Sequence, residues 1–241
     1  DHNWVSGKVT AGALLIIERG DAPGTEDRTQ IDHNYFGDRP PKDGLAYADN
    51  SDNEYEGIRI GSSSTHTSDS FAVVEHNYFE GIDGEAEVIS IKAGGVTVAH
   101  NTIRNSRGSI VNRHGEGSII DNNFIIGDGN PFSGGVRVVD ANHSVTNNYI
   151  QGARNPSSNF YGGILISSSD GSTSNGYQDV ENVLVANNTI VDSANSINLF
   201  AGNRNDRPDS VYFVNNIVAD AVGPVMKNAD TLPDNSIYAG N

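Results

Sequence analysis

The apolar positions of this chain fall into short alternating runs that end at asparagine. The stretches GVTVAHN, GSIIDNN, HSVTNN and NVLVANN place aliphatic or β-branched residues at every second position, then turn at His-Asn or Asn-Asn. A period of two is a strand signal, and a polar dipeptide at a fixed place after it marks a corner. An aromatic or β-branched pair follows each corner, giving HNWV, HNYF, HNYF, HNTI, NNFI, NNYI, NNTI and NNIV. The second residues of these motifs are Asn3, Asn34, Asn77, Asn101, Asn123, Asn148, Asn188 and Asn216, at successive intervals of 31, 43, 24, 22, 25, 40 and 28 residues. The basic unit is about 22 to 28 residues, with insertions in some turns.

Units of this kind bury an interior only by stacking, which makes a solenoid. Equivalent asparagines then lie one above another, where their amides can hydrogen-bond along an internal ladder. The predicted fold is all-β, a single right-handed parallel β-helix over residues 1–241, with the handedness given by the usual crossover rule. Asn3 occupies a corner only three residues into the chain, so its preceding strand is missing and further rungs are expected upstream. Segments 38–54, 154–162 and 168–179 are rich in Gly, Pro, Ser, Asn and Asp. They read as loops projecting from the coil, where grooves and specificity are built.

Composition narrows the function. The chain has no cysteine, which excludes a disulfide scaffold and any thiolate site. No apolar run approaches the roughly 18 residues of a spanning helix, so no membrane partner is expected. A formal net charge of -16 argues against nucleic acid, which needs a basic surface. An anionic partner would need a local exception built from few cations, since the only lysines are Lys8, Lys42, Lys92 and Lys227.

Residues 84–95, GEAEVISIKAGG, concentrate candidate chemistry. The period of two puts Glu85 and Glu87 on one face, close enough to hold a hard cation such as Ca²⁺, although a solvated strand face fits the spacing as well. Lys92 has the opposite parity, so an irregularity between Glu87 and Lys92 is needed to bring them together. Arg113 and Arg137 follow at about one turn each, and Arg59 lies a longer step before. Lys92 and Arg113 are therefore expected as stacked neighbours, with the arginine favouring the neutral, proton-accepting lysine. The four cations would form a stripe suited to an anionic polymer, or else be ordinary surface charges. His114 reads as a substrate contact or a satisfied groove residue. His33, His76 and His100 recur with the corner and, like His143, read as structural. Tyr161, beside two glycines in a loop, could stack on a sugar.

The stretches DNEYEGIRIGSSS, EAEVISIKA, NRHG and GGVRVVDANHSVTNNYIQG resemble polysaccharide lyase family 6, which includes alginate lyases and chondroitin B (dermatan sulfate) lyase. The resemblance implies a secreted or periplasmic enzyme that cleaves a uronate polymer by β-elimination. It implies Ca²⁺ held by Asn53, Glu85 and Glu87, Lys92 as base with Arg113 as its partner, and His114 and Arg137 as substrate contacts. Arg59 and Tyr161 are further expected contacts. The GVRV stretch is similar to the alginate branch. Dermatan sulfate cleavage, uronate epimerisation and non-catalytic carbohydrate binding are the alternatives.

Overall fold

The first residue of each corner dipeptide adopts a left-handed backbone, with φ of 56° at His2, 53° at His33, 54° at His76, 56° at His100, 54° at Asn122 and 57° at Asn147. Histidine and asparagine are among the few non-glycine residues that enter this region readily. The dipeptide thus divides its labour: the first residue turns the chain and the second builds the ladder. Asn101 Nδ2 donates to Asn123 Oδ1 at 3.1 Å, Asn123 to Asn148 at 3.0 Å, and Asn148 to Asn188 at 3.0 Å. Each acceptor oxygen also receives the backbone N–H of the preceding asparagine. The ladder continues from Asn216 to Asn241 at 2.8 Å, a rung the motif search missed because Gly240 takes the left-handed position there.

These corners organise the computed structural model, which describes residues 1–20, 25–41, 54–157, 159–228 and 235–241. The strands form three parallel sheets of eight strands each, and every third strand lies beside its equivalent one turn earlier. No helix occurs among the described residues. The fold is a right-handed parallel β-helix with the expected asparagine ladder.

The interior is filled by stacked rows. Ile58, Ile89, Ile110, Val136, Ile164 and Ile197 come from successive turns of one sheet and are all buried. Each contributes about 1.5–3 kcal/mol by leaving water. Phe36 stacks on Phe79 at 4.9 Å within the same core. Outside, the corner histidines His2, His33, His76 and His100 form a stack with centroids 5.3, 5.2 and 4.9 Å apart. His143 is internal: its Nδ1 accepts the Ser118 N–H at 3.1 Å and its Nε2 donates to the Val139 carbonyl at 3.0 Å. Burial lowers its pKa to about 4, so it is a neutral structural residue.

One sheet carries the candidate chemistry. It contains Leu15–Ile17, Ile58–Gly61, Glu87–Lys92, Gly108–His114, Ser133–Val138, Ile164–Ser167, Ile197–Ala201 and Met226–Lys227, in that order.

Candidate active site

Two strand irregularities shape the site. Glu87 lies opposite Ser109 and Ile89 opposite Ile110, leaving Val88 as an extra residue. Val88 and Ile89 both enter the core, so Glu87 is turned to the outward side shared by Ser90 and Lys92. This is the irregularity that the parity of Glu87 and Lys92 required, and re-aiming a side chain is what a β-bulge does. The second shift lies one turn on. Asn112 pairs with Ile91 and His114 with Lys92, so Arg113 is the extra residue. The expected stacking of Lys92 on Arg113 is corrected: the bulge hands the position beside Lys92 to His114 and leaves Arg113 without a rung partner in that strand.

Beside Lys92 stands a group of three acids. The Gly57 N–H donates to the Val88 carbonyl at 3.0 Å, which lodges Glu56 one turn before Glu87. Carboxylate oxygens of Glu56, Glu85 and Glu87 lie within 4.8 Å of one another. Glu56 and Glu85 are buried, and Glu56 Oε2 has no hydrogen-bond partner among the described residues. Burial first, then the charges of Glu87 and Glu56, push the Glu85 carboxyl well above its ordinary value, while Lys92 works the other way. Such a trio is stable with a proton or cation among its oxygens, and its all-oxygen donor set suits Ca²⁺ rather than a soft metal. Asn53 lies outside the described residues. Glu56 was not anticipated; the available signal was an acid directly ahead of the strand that precedes Glu87–Lys92 by one turn.

Arginines and aromatic rings from the 154–162 and 168–179 segments form the adjoining wall. Arg113 Nη1 donates to the Gly176 carbonyl at 2.7 Å, and its guanidinium lies 4.2 Å from the centre of the Tyr177 ring. Arg204 sits 3.2 Å from the same ring centre and donates to Asn159 Oδ1 at 3.1 Å. Arg137 lies 5.2 Å from Tyr177 and 4.7 Å from Phe160, and its Nε donates to Ser167 Oγ at 3.3 Å. Three cations thus surround one phenol. Burial alone would raise the Tyr177 pKa, but Arg137, through charge and a hydrogen bond, together with Arg113 and Arg204, brings it below the ordinary value. Burial lowers the Arg113 and Arg204 values too, although guanidinium remains charged.

The remaining expected residues take varied positions. His114 is fully buried, with Nδ1 donating to Gln178 Oε1 at 2.8 Å and Nε2 accepting from Ser63 Oγ at 3.1 Å. His66 stacks on it at 4.9 Å. Burial, then Arg113, lowers its pKa to about 3. In this arrangement His114 offers no ring atom to a ligand; it ties the Tyr177 loop and Ser63 to the lysine. Arg59 lies beside Ser90 in the outward row that continues through Val111 to Arg137, with Nη2 3.8 Å from Glu18. Tyr161 lies farther along, its carbonyl accepting from Asn198 at 3.2 Å and its ring 4.9 Å from Lys227 Nζ. Tyr177, Phe160, Ser63 and Gln178 were not anticipated, because loop paths obey no period.

Fold and site together define a parallel β-helix with an arginine-lined wall beside a cage of carboxylates. The chain belongs to the chondroitinase B family, whose sequence pattern matches residues 1–228, and so to the family 6 polysaccharide lyases. Among solved structures, a family 6 alginate lyase in complex with a trisaccharide shares 27% identity at a TM-score of 0.82, covering 99% of this chain and 55% of its own. The family 6 alginate lyase AlyGC shares 30% identity at 0.81, covering 99% and 32%. A mannuronic acid specific family 6 lyase from human gut microbiota shares 28% identity at 0.78, covering 96% and 51%. The chain therefore spans about a third to just over half the length of these structures. No curated protein sequence matches it.

Proposed function

We propose that this chain is a catalytic solenoid that cleaves alginate by β-elimination. The observation that carries the proposal is the position of Lys92: on the outward face, beside the Glu56, Glu85 and Glu87 cage, with His114 as its rung partner. The reaction removes the proton at C5 of a uronate ring and expels the oxygen at C4, leaving a C4=C5 double bond. Its barrier is the negative charge that develops at the adjoining carboxylate.

Lys92 Nζ takes the C5 proton as general base. Arg113, pinned by Gly176 and Tyr177, presents a fixed positive charge to the developing anion. Glu56, Glu85 and Glu87 would hold Ca²⁺, with Asn53 as a further expected ligand. When bound, that ion supplies a Lewis acid for the substrate carboxylate. Arg59 extends positive charge along the sheet for other uronates of the chain, whereas Arg137, expected as a substrate contact, is buried against Phe160 and Tyr177 and adds its charge from behind those rings. The alginate lyases among the structural neighbours support alginate as substrate, whereas the family's name supports dermatan sulfate as the second reading.

Ultraviolet absorbance of unsaturated uronate ends tests the proposal. Protein is mixed with alginate and, in parallel, with dermatan sulfate. A rise on alginate that Lys92→Ala abolishes is the expected result. A rise confined to dermatan sulfate replaces the substrate, and folded protein inert on both polymers overturns the lyase in favour of a binding β-helix.

A further inference from the structure

Past the end of the Lys92 strand, where Gly94 and Gly115 lie, there is a cavity of about 560 Å³ lined by Asp69, Glu116, Asp140, Asp179 and Glu181. A second cavity, of about 460 Å³, shares Glu116 and Glu181 with it and adds Asn182, Ser210 and Tyr212. No lysine or arginine lines either one. Carboxylates repel a uronate polymer, so the lyase reading leaves this trough unused.

His66 gives a separate sign of a ligand. It is 7% exposed, lines the first cavity and is fixed by its stack on His114 at 4.9 Å. Neither of its ring nitrogens makes a hydrogen bond among the described residues. A polar group so buried costs about 1–3 kcal/mol when left unpaired, and an imidazole nitrogen that bears no proton accepts from an ammonium N–H. Asp140 faces the same cavity, its oxygens taking the Gly115 and Ala141 N–H groups at 3.0 Å each. Burial, with Glu116 adding, pushes its carboxyl above the ordinary value against the pull of those N–H groups and of His66. A cation beside it would relieve that penalty.

The acids are too far apart to grip a bare metal ion. Among the described residues, Glu56, Glu85 and Glu87 form the one group of three acids or histidines whose donor atoms all lie within 4.8 Å of one another. The trough acids are instead arrayed along the coil. Asp69 bridges to Gly94, Gly95 donates to the Glu116 carbonyl, Gly117 to Ala141, and Asn142 to Glu181, and each pairing spans one turn. Turns are about 4.8 Å apart, so Asp69, Glu116 and Glu181 recur every second turn, with Asp140 between the last two. Ammonium groups joined by three or four methylenes stand about 5–6 Å apart, close to one turn.

We propose that this trough binds a linear oligoamine, its ammonium groups paired with acids of successive turns and one of them donating to His66. Gly94, Gly115 and Ala141 present little side chain, so the methylene spacers lie against backbone. The site is separate from the Lys92 centre and stands whether or not the chain is a lyase.

Calorimetric titration with the triamine spermidine tests it, at about 0.15 M salt, where charges beyond about 8 Å are screened. Wild type is expected to bind saturably at one site. Glu116→Gln/Glu181→Gln, which removes two exposed charges of the trough, should bind about 5-fold or more weakly. His66→Phe keeps a ring to stack on His114 and should lose about 3-fold or more. Glu26→Gln/Asp220→Asn removes the same charge from exposed positions elsewhere and should stay within about 2-fold of wild type. Absence of saturable binding to wild type overturns the site, as does unchanged affinity in either trough variant. Equal losses in the trough and control doubles overturn it in favour of the diffuse field of an acidic protein. Displacement of spermidine by Mg²⁺ at equal free concentration overturns the oligoamine as ligand.

Discussion

Lys92 is paired across the sheet with His114, and Arg113 is the supernumerary residue that the strand extrudes beside that pair. The guanidinium is consequently fixed from outside the ladder, by the Gly176 carbonyl and the face of Tyr177. Lysine preserves the charge but neither the planar stack nor the fork of donors. Arg113→Lys is expected to lower kcat on alginate about 100-fold while shifting the melting temperature by no more than about 2 °C. Near-wild-type turnover in this variant would show that charge alone suffices.

Glu56 makes the acidic group a trio. Its Oε2 is buried without a partner among the described residues, and its removal should weaken a cation site more than it harms the empty protein. In calorimetric titration with Ca²⁺, Glu56→Gln is expected to bind at least about 10-fold more weakly. The metal-stripped variant should melt at or above the temperature of the stripped wild type, because one of three mutually repelling acids is gone. Equal Ca²⁺ affinity in the two proteins would remove Glu56 from the ligand set.

The reach of sequence reasoning followed the physics of each feature. The coil was legible because its corners demand one residue tolerant of left-handed φ and one able to build an amide ladder, which restricts both positions. Glu85, Glu87 and Lys92 stood out as charges within one strand and through the family resemblance, and their parity called for an irregularity, which the structure supplies as a bulge at Val88. Arg113 misled because a 21-residue interval resembles one turn. The turn there holds 22 residues, as Asn101 and Asn123 already indicated, and 22 places His114 at Lys92. Glu56 depended on cross-turn register, and Tyr177 on the path of a loop; neither leaves a periodic trace.

The buried histidines make stability depend on pH. His143 has its folded pKa lowered from 6.5 to about 4, so below pH 6.5 the unfolded chain binds the additional proton first. Stability is fully present above about pH 6.5 and is lost as pH falls toward 4, by on the order of 3 kcal/mol from this residue. His114 acts with the same sign. Urea unfolding of wild type and His143→Gln between pH 7 and about 4 should show a shallower slope in the variant. Parallel slopes would mean that His143 does not govern this limb.

Asn123 sits near the middle of the ladder. Its Oδ1 accepts from the Asn101 N–H and amide, and its Nδ2 donates to Val98, Asp121 and Asn148. Asn123→Ala strands several buried polar groups and is expected to cost about 2–4 kcal/mol in urea unfolding. Asn3→Ala, at an exposed rung, should cost about 1 kcal/mol or less. Equal costs would show that the ladder's interior rungs carry no special weight.

The ladder distances hardly notice how much chain lies between rungs. The amide contact is 3.1 Å across 22 residues and 2.9 Å across 43. A loop can therefore lengthen, shorten or be exchanged for another without moving the sheet from which Glu87 and Lys92 project. In such a frame the segments between rungs can differ in length and composition while the side chains that the sheet projects keep their places.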